Sequence, residues 1–249
     1  LVIFFASWMI RHQRLGAFLL FIGLPAVLIL LQPDLGSLLV ILWIAFGMYF
    51  LAYGSIPKLV PFLGMGGLLL LIAIVISPYR FKRLTTYLNP EADPYGSGFH
   101  VRQVTIALGN GGLFGQGIGN SLQKYHYIPE ASSDSIFAVV AEELGFLGAV
   151  FILSIFWYFI YLLYQLTGQT SPNSYGRLVG YGVLLWISGQ ITLNLAAAVA
   201  LVPLTGVPLP FFSYGGSSLL MLFFIIGVLL QASTSESGVR SSTRVLKRV

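Results

Sequence analysis

Long runs of apolar residues fill most of this chain and limit what it can fold into. Seven such runs can be read, at residues 1–10, 16–31, 35–53, 57–76, 136–164, 178–201 and 215–231. A helix needs about 20 apolar residues to cross a hydrocarbon core roughly 30 Å thick. The first run is too short to span alone, and we expect it to be the end of a helix. The pattern predicts an all-α, polytopic transmembrane helix bundle of about seven membrane segments, forming a single domain over residues 1–249.

The composition excludes several other classes of protein. The chain is 57% hydrophobic and 8% charged, whereas soluble domains carry about 25% charged residues. It has no cysteine and three scattered histidines, so we expect neither disulfides nor a zinc cluster. The net charge of +5 is typical of a membrane protein with basic cytoplasmic edges and does not indicate nucleic-acid binding.

Basic residues predict how the bundle is oriented. If every run crosses once, one side collects Arg11, Arg14, Lys58, Arg177, Arg240, Arg244, Lys247 and Arg248. The positive-inside rule makes that side cytoplasmic, including a basic tail at residues 232–249. The chain begins at Leu1 inside an apolar run, with no basic region typical of a signal peptide. We therefore expect the natural N-terminus to lie before residue 1.

One long insertion, residues 77–133, interrupts the series on the predicted outer side. Loops longer than about 12–15 residues are usually functional or disordered. Val101, Val104 and Leu108 recur at helical spacing, which predicts a short amphipathic helix that either lies at the membrane interface or re-enters the membrane. The insertion also carries Arg80, Lys82, Arg83, Arg102 and Lys124. They are either solvated loop charges or ligands for an anionic substrate or lipid headgroups.

A glycine-rich stretch at residues 109–119 lies within this insertion. No Gly-Lys-Ser/Thr follows it, which excludes a Walker phosphate loop. The strand-then-helix context of a dinucleotide site is also missing. We predict a flexible turn beside the membrane, whose backbone amides are able to bind an anion.

Four carboxylates, those of Glu130, Asp134, Glu142 and Glu143, cluster where the insertion meets the run at 136. An acid inside a bilayer costs about 2.5–3.5 kcal/mol on insertion scales and normally marks function. Asp134 is either a helix-capping acid or a general base that takes a proton from a sugar hydroxyl. Glu142 and Glu143 lie roughly 12 Å deeper along a continuous helix. They form either a structural buried network or part of a polar path.

Other polar residues punctuate the apolar runs. Asp34 follows a tight turn and either caps the next helix or lines a cavity. Gln190 and Asn194 are four apart, which places them on one helix face and favours interhelical hydrogen bonds. Ser213 lies in a Pro- and Gly-rich stretch, residues 202–217. Such backbone must pack against protein or line a cavity at membrane depth.

Several long motifs occur in a fixed order. They are Gln32-Pro-Asp34-Leu-Gly36, Gly111-Gly-Leu-Phe-Gly115, Pro129-Glu130, Asp134-Ser-Ile-Phe137, Ala141-Glu-Glu-Leu-Gly145 and Pro203-Leu-Thr-Gly-Val-Pro-Leu-Pro-Phe-Phe-Ser-Tyr-Gly-Gly-Ser217. On these motifs the chain resembles the SEDS family of RodA, FtsW and SpoVE proteins. The resemblance implies about ten transmembrane helices, with a large outer loop before the eighth. The seven runs would then be the fourth to tenth helices, and this chain would be truncated at its N-terminus.

The resemblance also implies an activity, that of a peptidoglycan glycosyltransferase in a bacterial cytoplasmic membrane. Such an enzyme polymerises lipid II on the outer face for elongation, division or sporulation and releases undecaprenyl diphosphate. Asp134 matches the family's catalytic acid. His-Thr often precede that acid and Phe often follows, whereas Ser132, Ser133 and Ser135 stand here. The departure weakens any choice between the elongation and division branches.

The expected reaction is a single inverting displacement, because an α-diphosphate becomes a β-1,4 link. Positive charge on the leaving diphosphate would come from the insertion's basic residues or from a divalent cation, Mg or Mn. The resemblance implies a class B penicillin-binding protein as partner, beside membrane lipids. Two alternatives stay open: a transporter (flippase) of the lipid-linked precursor, and a scaffold that only recruits partners.

Overall fold

A computed structural model of the chain describes residues 1–11, 15–32, 34–54, 56–89, 97–126, 133–172 and 174–246. All regular structure in these ranges is helical, which confirms the predicted fold class. The helices are α1 (Val2–Arg11), α2 (Leu15–Leu31), α3 (Leu35–Tyr53), α4 (Ile56–Ile76), α5 (Pro78–Leu88), α6 (Ser97–Gly111), α7 (Gln123–His126), α8 (Ile136–Gln169), α9 (Tyr175–Ala198) and α10 (Gly216–Leu246).

Five helices are long and apolar enough to cross a membrane, as the apolar runs predict. They are α3, α8 and α9, together with Leu59–Ile76 of α4 and Gly216–Thr234 of α10. Helices α1 and α2 are apolar but shorter. Only 6% of the apolar window of α4 is buried against other parts of the chain, so the described residues leave most of its apolar surface uncovered.

Helix α9 is the centre of the bundle, where it contacts α1, α3, α8 and α10. Small residues make these approaches possible. A Cβ on Gly182 would overlap Val2 and Met48, and a Cβ on Gly189 would overlap Trp43. Glycines at such positions let backbones come close, which favours helix association in lipid, where apolar side chains gain little from leaving the surroundings.

Helix α8 is longer than the predicted run at 136–164, and it is broken. Gly145 has φ 70° and ψ −172°, which lies outside helical geometry. Residues 146–169 alone cover about 36 Å at 1.5 Å per residue, enough to cross a bilayer. Glu142 and Glu143 lie on the part of α8 that precedes the break. The depth of about 12 Å expected for these acids therefore stays a prediction.

The insertion folds into helices. Helix α6 confirms the predicted amphipathic segment, since its Val104 and Ala107 pack against Ala138 and Val139 of α8. Helix α5 was not predicted, although Pro78 at its start favours helix initiation. At the other end of the chain, α10 continues to Leu246, past the predicted boundary at 231. An apolar run ends where burial in lipid ends, whereas backbone hydrogen bonding can continue into polar sequence.

Hydrogen bonds show which segments share an end of the bundle. At one end, the hydroxyl of Tyr87 donates to the carbonyl of Leu201 at 2.8 Å, and Arg83 donates to the carbonyl of Leu204 at 3.3 Å, which joins the insertion to the 202–217 stretch. At the other end, the hydroxyl of Tyr53 donates to the carbonyl of Met9 at 2.6 Å. The segments predicted to be outside therefore meet at one end. That the opposite end faces the cytoplasm stays a prediction.

Candidate functional site

Asp134 lies in the turn that leads into α8. Ser135, not Asp134, is the N-cap residue of that helix, and its side chain makes no capping hydrogen bond. Among the described residues, the contacts of the Asp134 carboxylate are long, with its Oδ1 at 3.5 Å from the hydroxyls of Ser133 and Ser135. The side chain is half-buried. The N-cap position predicted for Asp134 is therefore occupied by Ser135.

The backbone of this turn is held from two sides. Asn194 on α9 donates from Nδ2 to the carbonyl of Asp134 at 2.7 Å and to the carbonyl of Val207 at 2.8 Å. The hydroxyl of Ser213 donates to the carbonyl of Ser133, and it accepts from the amide of Leu209 at 2.7 Å. Both residues were candidates from the sequence. Together they fix where Asp134 stands, which is the support that a reactive side chain requires.

Asp134 opens onto a pocket of about 200 Å³. Its walls come from α5, α6, the turn before α8 and the 202–217 stretch. The lining residues are Arg83, Thr86, Tyr87, His100, Val101, Asp134, Leu204 and Gly206. Among the described residues that line this pocket, Asp134 is the one carboxylate and Arg83 the one arginine. A carboxylate, an imidazole and a guanidinium thus share one cavity.

Two contacts position the side chain of Arg83. Its Nη1 donates to the carbonyl of Leu204 at 3.3 Å, and its guanidinium carbon lies 4.9 Å from the centroid of the Tyr79 ring. Such a cation–π contact, combined with a hydrogen bond, fixes a flexible side chain at the wall of the pocket. A fixed cation is suited to meeting negative charge that develops in a reaction.

The other basic candidates do not line this pocket. Arg80 donates to the carbonyls of Ala73 at 3.2 Å, of Leu30, and of Gln32 at 3.5 Å. It therefore ties the end of α2 to the end of α4. Lys82 and Arg102 are exposed on α5 and α6. Glu130, with Pro129, lies outside the described residues.

Lys124 and the two glutamates form a separate cluster. The Lys124 ammonium lies 2.6 Å from Oε1 of Glu143, and the backbone amides of Gly119 and Ser121 also donate to that carboxylate. Glu142 is almost wholly buried. It accepts from the Ser121 hydroxyl and from Nδ2 of Asn110 at 3.4 Å. These contacts correspond to the structural buried network among the sequence alternatives.

The glycine-rich stretch builds this cluster instead of forming a flexible turn. The amides of Gln116 and Gly117 donate to the carbonyls of Glu142 and Glu143, each at 3.0 Å. A Cβ on Gly115 would collide with the carbonyl of Glu143. Main-chain pairing across the break in α8 therefore requires glycine. The backbone amides of Gly119 and Ser121, at the end of this stretch, are the ones that face the Glu143 carboxylate.

Asp34 and Gln190 lie away from Asp134. Asp34 caps α3 by accepting from the amide of Ser37 at 3.0 Å, and its side chain is exposed. Gln190 lines a different cavity of about 560 Å³, together with Val40, Trp186 and others. Although Gln190 and Asn194 share a face of α9, they contribute to different regions of the bundle.

Sequence reasoning missed His100 and Tyr87. The Nε2 of His100 lies 2.8 Å from the Ser135 hydroxyl. A signal was available, because His100 is four residues before Val104 and so falls on the apolar face of α6. A polar side chain on a buried face must find a partner. Tyr87 could not be placed because α5 itself was not predicted.

An apolar groove adjoins the pocket. Arg83 and Leu204 also line a neighbouring cavity of about 270 Å³. That cavity shares Leu39 and Leu70 with a third one, of about 600 Å³, between α3 and α4. The polar pocket at the end of the bundle thus continues into an apolar groove beside α4, whose apolar window is only 6% buried.

The described residues do not fit a divalent cation held by protein alone. In these ranges no three His, Asp or Glu side chains come close enough to hold a metal ion. The pocket offers one carboxylate, beside an arginine that repels cations. The divalent cation expected from the sequence stays a prediction.

Comparison with known proteins places the fold in a family. A family model described as cell cycle protein, FtsW/RodA/SpoVE, matches residues 4–238. A relative from Coxiella burnetii, named probable peptidoglycan glycosyltransferase FtsW, is 42% identical over 92% of this chain and 64% of its own length. Stage V sporulation protein E of Bacillus subtilis is 44% identical over 83% of this chain and 56% of its own length.

Two solved structures of related proteins also match this fold. One is titled for the structural coordination of polymerization and crosslinking by a peptidoglycan synthase complex. It matches with TM-score 0.74 at 28% identity, over 93% of this chain and 66% of that one. A crystal structure of a Thermus thermophilus RodA variant matches with TM-score 0.61 at 24% identity, which bears on the fold alone. The chain thus spans less than two thirds of the length of these relatives. Over that length the agreement is continuous, and the chain belongs to the FtsW/RodA/SpoVE family of cell cycle proteins.

Proposed function

We propose that this protein is a peptidoglycan glycosyltransferase that polymerises lipid II at the outer face of a bacterial cytoplasmic membrane. The observation that carries the proposal is the position of Asp134. Its carboxylate, with only long contacts at 3.5 Å, opens onto a pocket that adjoins an apolar groove. A substrate with a sugar headgroup and an isoprenoid tail needs both environments side by side. The name of the Coxiella relative supports the same reaction.

In the proposed reaction Asp134 is the general base. It removes the proton from the 4-hydroxyl of the acceptor's GlcNAc, whose oxygen attacks the anomeric carbon of the donor's MurNAc. The bond to the diphosphate breaks on the opposite face, so one displacement converts the α-diphosphate into a β-1,4 link. Arg83 faces the departing negative charge, and the isoprenoid tail lies in the groove between α3 and α4. General-base catalysis of this kind contributes typically about 10²–10⁴-fold to the rate.

A partner is also proposed. The structural match at TM-score 0.74 is a peptidoglycan synthase complex that couples polymerization to crosslinking. By analogy, we expect a class B penicillin-binding protein to supply the crosslinking activity. The choice among elongation, division and sporulation stays open, since a relative named FtsW and one named for sporulation match about equally well.

The transporter alternative would use Glu142, Glu143, Gln190 and Asn194 along a path for the headgroup. In this chain Glu143 is paired with Lys124, and buried Glu142 accepts from Ser121 and Asn110. Polar groups with such partners are costly to expose to a passing substrate.

The Asp134→Asn substitution tests the proposed function. The amide keeps the shape of the side chain but accepts no proton, so we expect polymerisation of labelled lipid II to fall by about 10²–10⁴-fold. The temperature of unfolding in detergent should change little, because the carboxylate makes only long contacts. Asp34→Asn is the matched control, since it removes an exposed capping acid and should leave the rate per folded molecule unchanged.

Two outcomes would contradict the proposal. One is normal glycan chain synthesis by the Asp134→Asn protein. The other is movement of labelled lipid II across vesicles by the unmodified protein without any polymer, which would favour the transporter.

A further inference from the structure

A chain of polar contacts leads away from Asp134. His100 on α6 has its Nε2 at 2.8 Å from the hydroxyl of Ser135. That hydroxyl lies 3.5 Å from Oδ1 of Asp134. Ser135 is 2% exposed, whereas His100 is half-buried and lines the same 200 Å³ pocket as Asp134. One hydroxyl thus stands between the proposed base and an imidazole.

We propose that His100 receives, through the Ser135 hydroxyl, the proton that Asp134 takes from the acceptor sugar. The inference rests on the proposed function and extends it, because it names where the proton goes. His100 does not touch the reacting atoms, so it is a positioning residue that acts through Ser135.

The step balances without any further reactant. The acceptor's O–H bond breaks, and its electron pair forms the new bond to the anomeric carbon, while the electrons of the old C–O bond leave with the diphosphate. The proton moves to Asp134. Asp134 then gives it to Oγ of Ser135, while Ser135 passes its own hydroxyl proton to Nε2 of His100. The imidazolium loses a proton to water, and Asp134 is again ionised for the next addition.

Imidazole is suited to this role because its protonation changes near neutral pH. Among the described residues, the charged and titratable groups that face His100 across the pocket are Arg83 and Tyr87 from α5 and Asp134 from the turn before α8. The 204–206 segment contributes none, and Arg102 on α6 is exposed. The positive charge of Arg83 disfavours the imidazolium, and the negative charge of Asp134 favours it. The relay requires a neutral imidazole when the proton arrives, and the imidazolium then releases that proton to water.

The competing interpretation is that the contact between His100 and Ser135 is purely structural and only ties α6 to the start of α8. The two interpretations differ in how the rate depends on pH. A relay needs neutral imidazole, so its contribution grows as pH rises through the range near 6.5 where imidazole normally loses its proton. A tie contributes by the same factor at every pH.

The experiment measures kcat for lipid II polymerisation as a function of pH for the unmodified protein and for His100→Gln. Glutamine keeps a hydrogen-bonding group beside Ser135 but does not titrate. We expect equal rates near the acidic end and a rate about tenfold lower for His100→Gln above neutral pH, a share of the usual 10²–10⁴-fold effect of proton transfer. Ser135→Ala should give the same profile. Ser154→Ala is its matched control, since this exposed serine on α8 bonds only to Val150.

The possible outcomes distinguish a failure of the relay from a failure of the proposed function. If His100→Gln matches the unmodified protein at every pH, or is slower by one constant factor, the relay is wrong and the proposed function stands. If the unmodified protein makes no polymer, the proposed function fails and takes the relay with it. Should Ser135→Ala fail to fold, the profile of His100→Gln alone decides.

Discussion

Two acidic sites lie eight residues apart in this chain, and their surroundings are opposite. Glu143 accepts from the Lys124 ammonium and from two backbone amides, and Glu142 is buried with its own donors. Asp134 has only contacts of 3.5 Å and faces a cavity. We call the first the closed cluster and the second the open site. A carboxylate whose partners are all supplied by the fold stabilises that fold, and one without close partners has capacity left for a substrate.

The difference originates in backbone geometry. The break at Gly145 leaves carbonyls of α8 without helical partners, and the glycine-rich stretch supplies amides to them. That pairing brings Gly119, Ser121 and Lys124 to Glu143. Within the described ranges, which leave out residues 127–132, no comparable segment donates to the side chain of Asp134, and Asn194 bonds to its backbone carbonyl.

The largest effect is expected in the closed cluster, where Gly115→Ala should lower the free energy of unfolding. Gly115 has φ 81°, and an added Cβ would collide with the carbonyl of Glu143. Strained φ and backbone overlap together should cost more than about 3 kcal/mol. The measurement is unfolding in detergent followed by tryptophan fluorescence. Gly64→Ala on α4 is the matched control, because nothing lies within 4 Å of its added Cβ.

An intermediate effect is expected from the Lys124–Glu143 pair. Both side chains are largely shielded, at 24% and 15% exposure. A double-mutant cycle of Lys124→Ala and Glu143→Gln should give a coupling free energy of unfolding of about 0.5–3 kcal/mol. Arg102→Ala, at an exposed position, should instead add independently to Glu143→Gln. A Glu143→Gln protein that is fully stable but inactive would break the distinction between the closed cluster and the open site.

The smallest effect is expected at the wall of the open site. Arg83→Gln removes the cation that we propose meets the diphosphate, and KM for lipid II should rise about tenfold, or roughly 1.4 kcal/mol. Lys82→Gln, on an exposed neighbour, is the control and should leave KM unchanged. An unchanged KM for Arg83→Gln would remove Arg83 from the substrate site and leave Asp134 as its one charged contributor among the described lining residues.

Much of the fold followed from the sequence, because apolar runs report directly on burial in lipid. The runs at 35–53 and 57–76 agree closely with α3 and α4, and the amphipathic spacing of Val101, Val104 and Leu108 predicted α6. Helix α5 was not predicted because it is short and many of its residues are polar. Its structure therefore depends on packing against its neighbours more than on apolar periodicity.

The candidate site was predicted in part. Asp134, Asn194 and Ser213 were singled out, and they meet at one turn. The five basic residues of the insertion looked equivalent in the sequence, yet Arg83 lines the pocket, Arg80 ties α2 to α4, and Lys124 pairs with Glu143. Charge is a property of the residue, whereas its partner depends on segments that are far away in the chain.

By itself, the sequence determined that this protein is a helical membrane protein with a helix-containing insertion, because hydrophobic length and periodicity are local properties. Tertiary structure alone decided which acid is satisfied and which is open. Glu143 and Lys124 are 19 residues apart, and His100 and Ser135 are 35 apart. Contacts over such separations depend on how the broken helix α8 packs against α6 and α9, and no local pattern encodes that packing.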